Sequence, residues 1–176
     1  RRPAERREFI VVGAVKQRIH RALTDGAREI VFTGGEPTMR RDLAELVRYA
    51  RVQGAERVVV ETNAALITRE KALDLAQAGL DVARVHLPGF GPEMDAITRD
   101  EGGFVATLQG LHELAATKVA IEITVPIVAT NLTVVAQIPF GLREAGIDVA
   151  RMIVMAVVDG PDPTSLPGIT DATRAI

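Results

Sequence analysis

The stretch Glu29-Ile-Val-Phe-Thr-Gly-Gly-Glu-Pro-Thr, residues 29–38, carries the strongest signal for the fold. Glu29–Thr33 is a short run of β-branched and aromatic residues, the composition of a strand. Gly34 and Gly35 follow it directly. Without Cβ atoms, they let the backbone turn sharply and approach a ligand closely. Glu36 adds a carboxylate that can pair with an amine, and Pro37 blocks further strand pairing and sets up the next turn. By itself the bend also suits a tight strand-to-helix turn in which two glycines are merely permissive. Its place at a strand's carboxyl end makes it a candidate site, because parallel α/β folds bind their ligands there.

Outward from this stretch, strands and helical patterns alternate. Further strands are expected at Arg57–Glu61, Val82–Leu87, Val119–Ile127 and Arg151–Val158. Strand starts lie 25 to 37 residues apart, a spacing that suits strand–helix–strand crossovers of about 30 residues. Val11, Val15, Ile19 and Leu23 share one helical face, which stops at Gly26. Leu43, Leu46, Val47 and Ala50 make a second, ending near Gly54. Thr68 is expected to cap a third helix that ends at Gly79, and Phe104, Leu108, Leu111 and Leu114 line a fourth. A fifth is expected from about Leu132 to Ala145, with Pro139 kinking or breaking it. Gly89-Phe90-Gly91 matches a dinucleotide fingerprint only in part: Met94 stands where the third glycine belongs, and no helix is expected to open there. The fold class is therefore α/β, a parallel sheet or partial barrel with helices outside. The domain covers residues 1–158, with 159–176 a turn-rich tail containing Asp-Gly-Pro-Asp-Pro.

Composition narrows the chemistry. The 176 residues include 47% hydrophobic and 25% charged, enough for an ordinary core without disulfides. The net charge of −2 lacks the basic excess of a nucleic-acid surface. Cysteine is absent, which excludes a thiol nucleophile, a thiolate metal site and a disulfide. The single serine, Ser165, lies in the tail, away from any strand end. Lys16 and Lys71 fall on helices and Lys118 at the start of a strand, so none suits a Schiff-base lyase. No apolar run is long enough to span a membrane, and the charged opening residues do not form a signal peptide. A cytoplasmic location, with no membrane and no nucleic-acid partner, is expected.

Strand parity then gathers the polar residues. Glu61 and Asn63, Arg84 and His86, and Glu122 and Thr124 each share one face, whereas the opposite faces are aliphatic. Charges inside parallel strands need partners or water, so the set suggests either a polar cavity or a salt-bridge cluster Glu61–Arg84–Glu122. For the set as a whole a binding cavity is expected.

Glu29-Ile-Val-Phe-Thr-Gly-Gly-Glu-Pro-Thr, the helix through Asp42-Leu-Ala-Glu-Leu-Val and Val59-Val-Glu-Thr-Asn-Ala together resemble the radical S-adenosylmethionine (radical SAM) superfamily. Val85-His-Leu-Pro-Gly, Glu93-Met-Asp-Ala-Ile-Thr, Gly103-Phe-Val-Ala-Thr-Leu-Gln-Gly-Leu and Asn131-Leu are similar to members that mature peptides or cofactors. The resemblance covers about residues 6–158. It implies a partial, TIM-like (βα)6 barrel that binds S-adenosylmethionine across its strand ends. It further implies that Gly34, Gly35 and Glu36 hold the methionyl amino group. Thr62, Asn63 and His86 would lie near the ribose and carboxylate, and Thr124–Pro126 and Met155–Val157 would flank the adenine. With Pro37 of the bend and Glu122 of the polar face, these are the candidate cofactor residues. Ala64 departs from the usual glycine, and His86 stands where serine is frequent. The family's [4Fe–4S] cluster needs three cysteines after a first strand. This chain has neither, so that strand and loop are expected to be missing from it.

The implied function is the core of a radical SAM enzyme, its cluster supplied by residues absent here and its substrate a peptide or small molecule. The alternative is a cluster-free binding module. A sheet lacking its first strand exposes Glu29–Thr33 as an edge, so self-association or poor solubility is expected. A monodisperse, stable monomer in light scattering would count against that.

Overall fold

The computed structural model describes residues 10–156. Helix α1 (Val12–Thr24) precedes β1 (Glu29–Phe32); α2 (Leu43–Val52), β2 (Arg57–Thr62), α3 (Arg69–Ala78) and β3 (Val82–His86) follow. Then come α4 (Pro92–Thr98), α5 (Gly103–Ala115), β4 (Ala120–Ile127), α6 (Ile138–Glu144) and β5 (Arg151–Ala156). The five strands pair in parallel in sequence order, β1-β2-β3-β4-β5, as an open sheet. β1 and β5 form its two edges. Val157, Val158, the tail at 159–176 and residues 1–9 lie outside the described residues.

The aliphatic faces expected from parity form the core: Val58 and Val60, Ala83, Val85 and Leu87, and Ile121, Ile123 and Val125 pack with Leu46, Val47, Leu75, Leu111 and Leu114 of the helices. In α1 it is Ile19 that is buried, while Val11 is 72% exposed and lies outside the apolar stripe. Thr68 caps α3 by accepting from the Lys71 N–H, and Gly79 ends that helix in the left-handed region at φ 96°.

Two helices differ from expectation. α4 opens at Pro92, immediately after Gly91, where none was expected. Pro92 needs no N–H at the first turn, and Glu93 and Asp95 place negative charge at the helix start. The expected helix over 132–145 divides into turns, a 3-10 turn at Val135–Gln137, and α6. Pro139 does not kink α6 but lies in its first turn, again a position where its missing donor costs nothing. Ahead of it, the fully buried Asn131 donates from Nδ2 to the carbonyls of Pro88 (2.8 Å) and Pro126 (2.6 Å) and accepts from Val128 N (2.9 Å). One side chain thus ties the loops after β3 and β4 together.

A second clamp sets the loop after β2. Ala64 sits at φ 60°, a conformation unfavourable for a residue with a Cβ, and α5 holds it there. Thr107 of α5 donates to the carbonyl of Asn63 at 2.9 Å, and a Cβ on Gly110 would come within 2.0 Å of the Ala64 carbonyl oxygen. Gly110→Ala is therefore expected to destabilise by about 2 kcal/mol or more, even though alanine is the better helix former. Thermal unfolding should show a midpoint lower by about 4–8 °C; an unchanged midpoint would mean that α5 stands off the loop.

Candidate functional site

Register converts strand parity into layers. Glu61 pairs with Arg84, Arg84 with Glu122 and Glu122 with Arg151, forming one line across β2–β5. One layer nearer the carboxyl ends, His86 pairs with Thr124 and Thr124 with Ile153. Cavity and salt-bridge cluster are therefore both present, stacked as mouth and floor.

The floor is built on Glu122, whose side chain is 4% exposed. Its Oε1 accepts from Arg57 Nη2 (2.7 Å) and from the Arg151 guanidinium, and its Oε2 accepts from Arg84 Nε (3.0 Å). Arg84 Nη1 donates to Glu61 Oε1 at 2.9 Å, and Arg57 also pairs with Glu29. Burial opposes the charge on Glu122, but the hydrogen bonds and charges of Arg151 and Arg84 outweigh it and hold its carboxyl below the ordinary value of 4.5. Burial likewise disfavours the Arg84 cation, yet Glu61 and Glu122 raise its pKa.

Above the floor lies a cavity of about 490 Å³, within the size range of small-molecule sites. Its rim is the β1 bend, Thr33, Gly34, Gly35 and Glu36. Thr62 and Asn63 end β2 beside it, His86 and Thr124 form the far wall, and Ile153 and Met155 close it on β5. His86 reaches into the mouth; desolvation lowers its pKa, partly opposed by the charge of Glu61, so it is neutral at pH 7. Thr124 is 7% exposed, and its Oγ1 has no hydrogen-bond partner. An orphaned buried hydroxyl in a residue lining a cavity is a group that calls for a partner.

The bend itself is anchored. Glu36 ends the β1 loop by accepting from Thr38 N (3.0 Å) and Thr38 Oγ1 (2.5 Å), and it reaches β2 through Thr62 Oγ1 (2.7 Å) and Asn63 N (2.8 Å). Gly34 requires glycine, at φ 113°. Gly35 does not: its backbone lies outside the left-handed region, and a Cβ there would meet nothing within 4 Å. The protein's own packing gives no reason for glycine at 35, and the space beside it is open.

Of the candidate residues, Gly34, Gly35, Glu36, Thr62, Asn63, His86 and Thr124 thus converge on one cavity. Pro37 and Glu122 do not line it. Pro37 contributes to a second cavity of about 590 Å³ between α1, α2 and β1, and Glu122 lies beneath the site, enclosed by arginines. Sequence reasoning missed Thr38, Ile153 and Asn131. Thr38, two residues after Glu36, carries a recognisable signal, since Ser and Thr commonly bond locally in turns; Ile153 needed the register.

Residues 2–133 match the family model of the radical SAM superfamily. The chain belongs to this superfamily. Among curated relatives it is 47% identical over 87 residues to the Fe-coproporphyrin III synthase of Methanosarcina barkeri, covering 49% of this chain and 22% of that protein. It is 35% identical over 104 residues to the AdoMet-dependent heme synthase of Oleidesulfovibrio alaskensis, covering 58% and 26%. The chain thus spans about a quarter of the length of these relatives. Among solved structures, anSMEcpe with bound AdoMet and Kp18Cys peptide superposes with a TM-score of 0.73 at 15% identity, over 96% of this chain and 50% of the other. Streptococcus suis SuiB bound to S-adenosylmethionine gives 0.68 at 17% identity, over 92% and 38%. The fold is that of a radical SAM core, an open parallel sheet forming part of a TIM-like barrel.

Radical SAM proteins use S-adenosylmethionine and a [4Fe–4S] cluster. The chain's residues do not fit the cluster, because it contains no cysteine to ligate iron. They do fit S-adenosylmethionine: an orphaned hydroxyl, an open glycine rim and a neutral imidazole face one cavity at the strand ends. No described helix is long and apolar enough to cross a membrane.

Proposed function

We propose that this chain is the S-adenosylmethionine-binding core of a radical SAM enzyme. The observation that carries the reading is the unpartnered Thr124 hydroxyl on the wall of a polar cavity rimmed by Gly34 and Gly35. The exposed backbone of the bend takes the amino-acid end of the ligand. Thr62, Asn63 and His86 serve its ribose and carboxylate, and Thr124 with the β5 residues serves its adenine. A neutral His86 places no second positive charge beside the sulfonium. The Glu61–Arg84–Glu122–Arg151 row holds the floor, with Glu61 and Arg84 facing the cavity and Glu122 and Arg151 outside its lining. Were a reduced cluster ligated by other residues to donate one electron, S-adenosylmethionine held here would be cleaved to methionine and the family's 5′-deoxyadenosyl radical, for hydrogen abstraction from a peptide or small-molecule substrate; the residues named above would bind and orient it.

Calorimetric titration of the chain with S-adenosylmethionine is expected to give a Kd on the order of 10–100 μM, about −5 to −7 kcal/mol. Thr124→Val should weaken it by roughly 3–10-fold, the worth of one hydrogen bond of about 1 kcal/mol. No saturable heat up to about 1 mM would refute the reading.

The absence of cysteine favours a second reading, a binding module without redox chemistry. Anaerobic iron–sulfur reconstitution of the protein with its natural flanking sequence separates the two. A cluster visible by absorption and EPR supports the enzyme, and iron-free protein that still binds the ligand supports the module.

A further inference from the structure

We propose that Asn131 is a positioning residue that sets the far wall of the cavity, holding His86 and Thr124 in place without touching a ligand itself. This rests on the cavity being a site for S-adenosylmethionine. Asn131 is fully buried and does not line the cavity. Its Nδ2 donates to the carbonyls of Pro88 and Pro126, and its Oδ1 accepts from Val128 N. Its backbone is bonded as well: Asn131 N donates to Val128 O, and Asn131 O accepts from Val134 N and Val135 N. The two carbonyls held by the amide lie at matched depths. Pro88 and Pro126 each follow a cavity residue by two, His86 and Thr124, and those two residues pair across β3 and β4.

The strand ends need this grip because their own ladder stops there. Leu87 N donates to Thr124 O at 2.9 Å. In a parallel ladder the next bond would run from the N–H of residue 126 to Leu87 O, but residue 126 is proline and has no N–H. Two bonds from the Asn131 amide take the place of that rung. A buried amide is costly to leave unpaired, so it favours the one arrangement of strand ends that satisfies it. Packing holds the loop after β3 independently. The Phe90 ring meets Phe104 edge-on at 4.7 Å and covers Gly141 of α6, where a Cβ would come within 2.5 Å of it. Loss of the Asn131 side chain is therefore expected to loosen the wall and leave the fold standing.

Two readouts on the full chain separate positioning from bulk stability. In Asn131→Ala, S-adenosylmethionine binding should weaken by about tenfold at a temperature where the protein is folded. Thr124→Val, which is expected to cost roughly 3–10-fold in the wild-type background, should then cost less than about twofold, because the hydroxyl is no longer held in place. An undiminished Thr124→Val effect would overturn the proposal. Amide hydrogen exchange needs no ligand. In Asn131→Ala the Leu87 N–H should lose protection by about tenfold or more. Ala120 N, which donates to Asp81 O at the floor end of the same strand pair, should stay within about threefold of wild type. Equal losses at both ends would make Asn131 a general stability residue and refute its positioning role. If wild type binds no S-adenosylmethionine, the function proposed above fails, and exchange alone decides whether Asn131 fixes the wall. If Asn131→Ala does not fold, wild type decides. Its Leu87 and Val128 amides, at the open end of the sheet, should then be protected to within about tenfold of Ala120. Weaker protection than that would refute the clamp.

Discussion

Gly35→Ala is expected to weaken S-adenosylmethionine binding by about tenfold or more while leaving the fold intact, a loss of about 1.4 kcal/mol or more confined to the ligand. The backbone at 35 accepts alanine without strain, and the added methyl touches no protein atom. Such a change commonly stabilises by about 0.4–1 kcal/mol by restricting the unfolded chain, so the unfolding midpoint should stay level or rise by about 1–4 °C. The methyl would instead enter the space shared by the inner cavity and the groove outside β1, both of which Gly34 and Gly35 line. A ligand lying against that backbone must move away or tilt. Gly34→Ala is the control. At φ 113° it is strained by about 1–3 kcal/mol, so it should lose stability and affinity together. Calorimetry and thermal unfolding on the same samples decide the matter. Full affinity in Gly35→Ala would place the ligand elsewhere.

The contrast between these neighbouring glycines shows what the sequence could convey. Gly-Gly after a strand is visible in the sequence, but which glycine serves the chain and which serves the ligand depends on a dihedral angle and an empty volume. The same limit applies to the polar strand residues. Parity placed Glu61, Arg84, His86, Glu122 and Thr124 on one face correctly, because period 2 is intrinsic to a strand. Parity contains no register, however, so it could not separate the layer that seals the floor from the layer that faces the cavity. Glu122 and Thr124 are two residues apart, yet three guanidinium groups surround one and no partner reaches the other. The long helices were legible from caps and apolar spacing, as with Thr68 and Gly79. The seven-residue α4 was not expected, and α6 was legible only as the end of a longer helix: each is too short to show a period, and each has a proline in its first turn. The bonds that Glu36 accepts from Thr62 and Asn63 were not legible either, because these donors lie 26 and 27 residues away and come alongside only once β1 and β2 pair.

Glu122→Leu is expected to cost about 3 kcal/mol, the low end of the ~3–5 kcal/mol for removing one partner of a buried ion pair. The lower figure applies because water shares the load: Arg57 and Arg151 are 37% and 52% exposed at their side chains, whereas Arg84 is 19% exposed. Arg84 keeps Glu61 and Arg57 keeps Glu29, but Arg151 has no other carboxylate partner among the described residues. The unfolding midpoint should fall by about 6–12 °C. The sign of the pH dependence follows from the direction of the Glu122 shift. Its folded carboxyl titrates below the ordinary 4.5, so the unfolded chain takes up the proton first as the solution is acidified. The stability contributed by Glu122 is present above about pH 4.5 and is lost as pH falls through the folded value. Glu122→Gln removes that titration, and its stability should therefore vary less than wild type between neutral pH and the acid limb. Urea unfolding of both proteins at pH 7 and below pH 4.5 checks this. Parallel curves would mean that the three arginines are held by water and not by Glu122. Because Arg84 and Arg151 would also lose their fixed positions on the floor, the variant should bind S-adenosylmethionine more weakly even at temperatures where it remains folded.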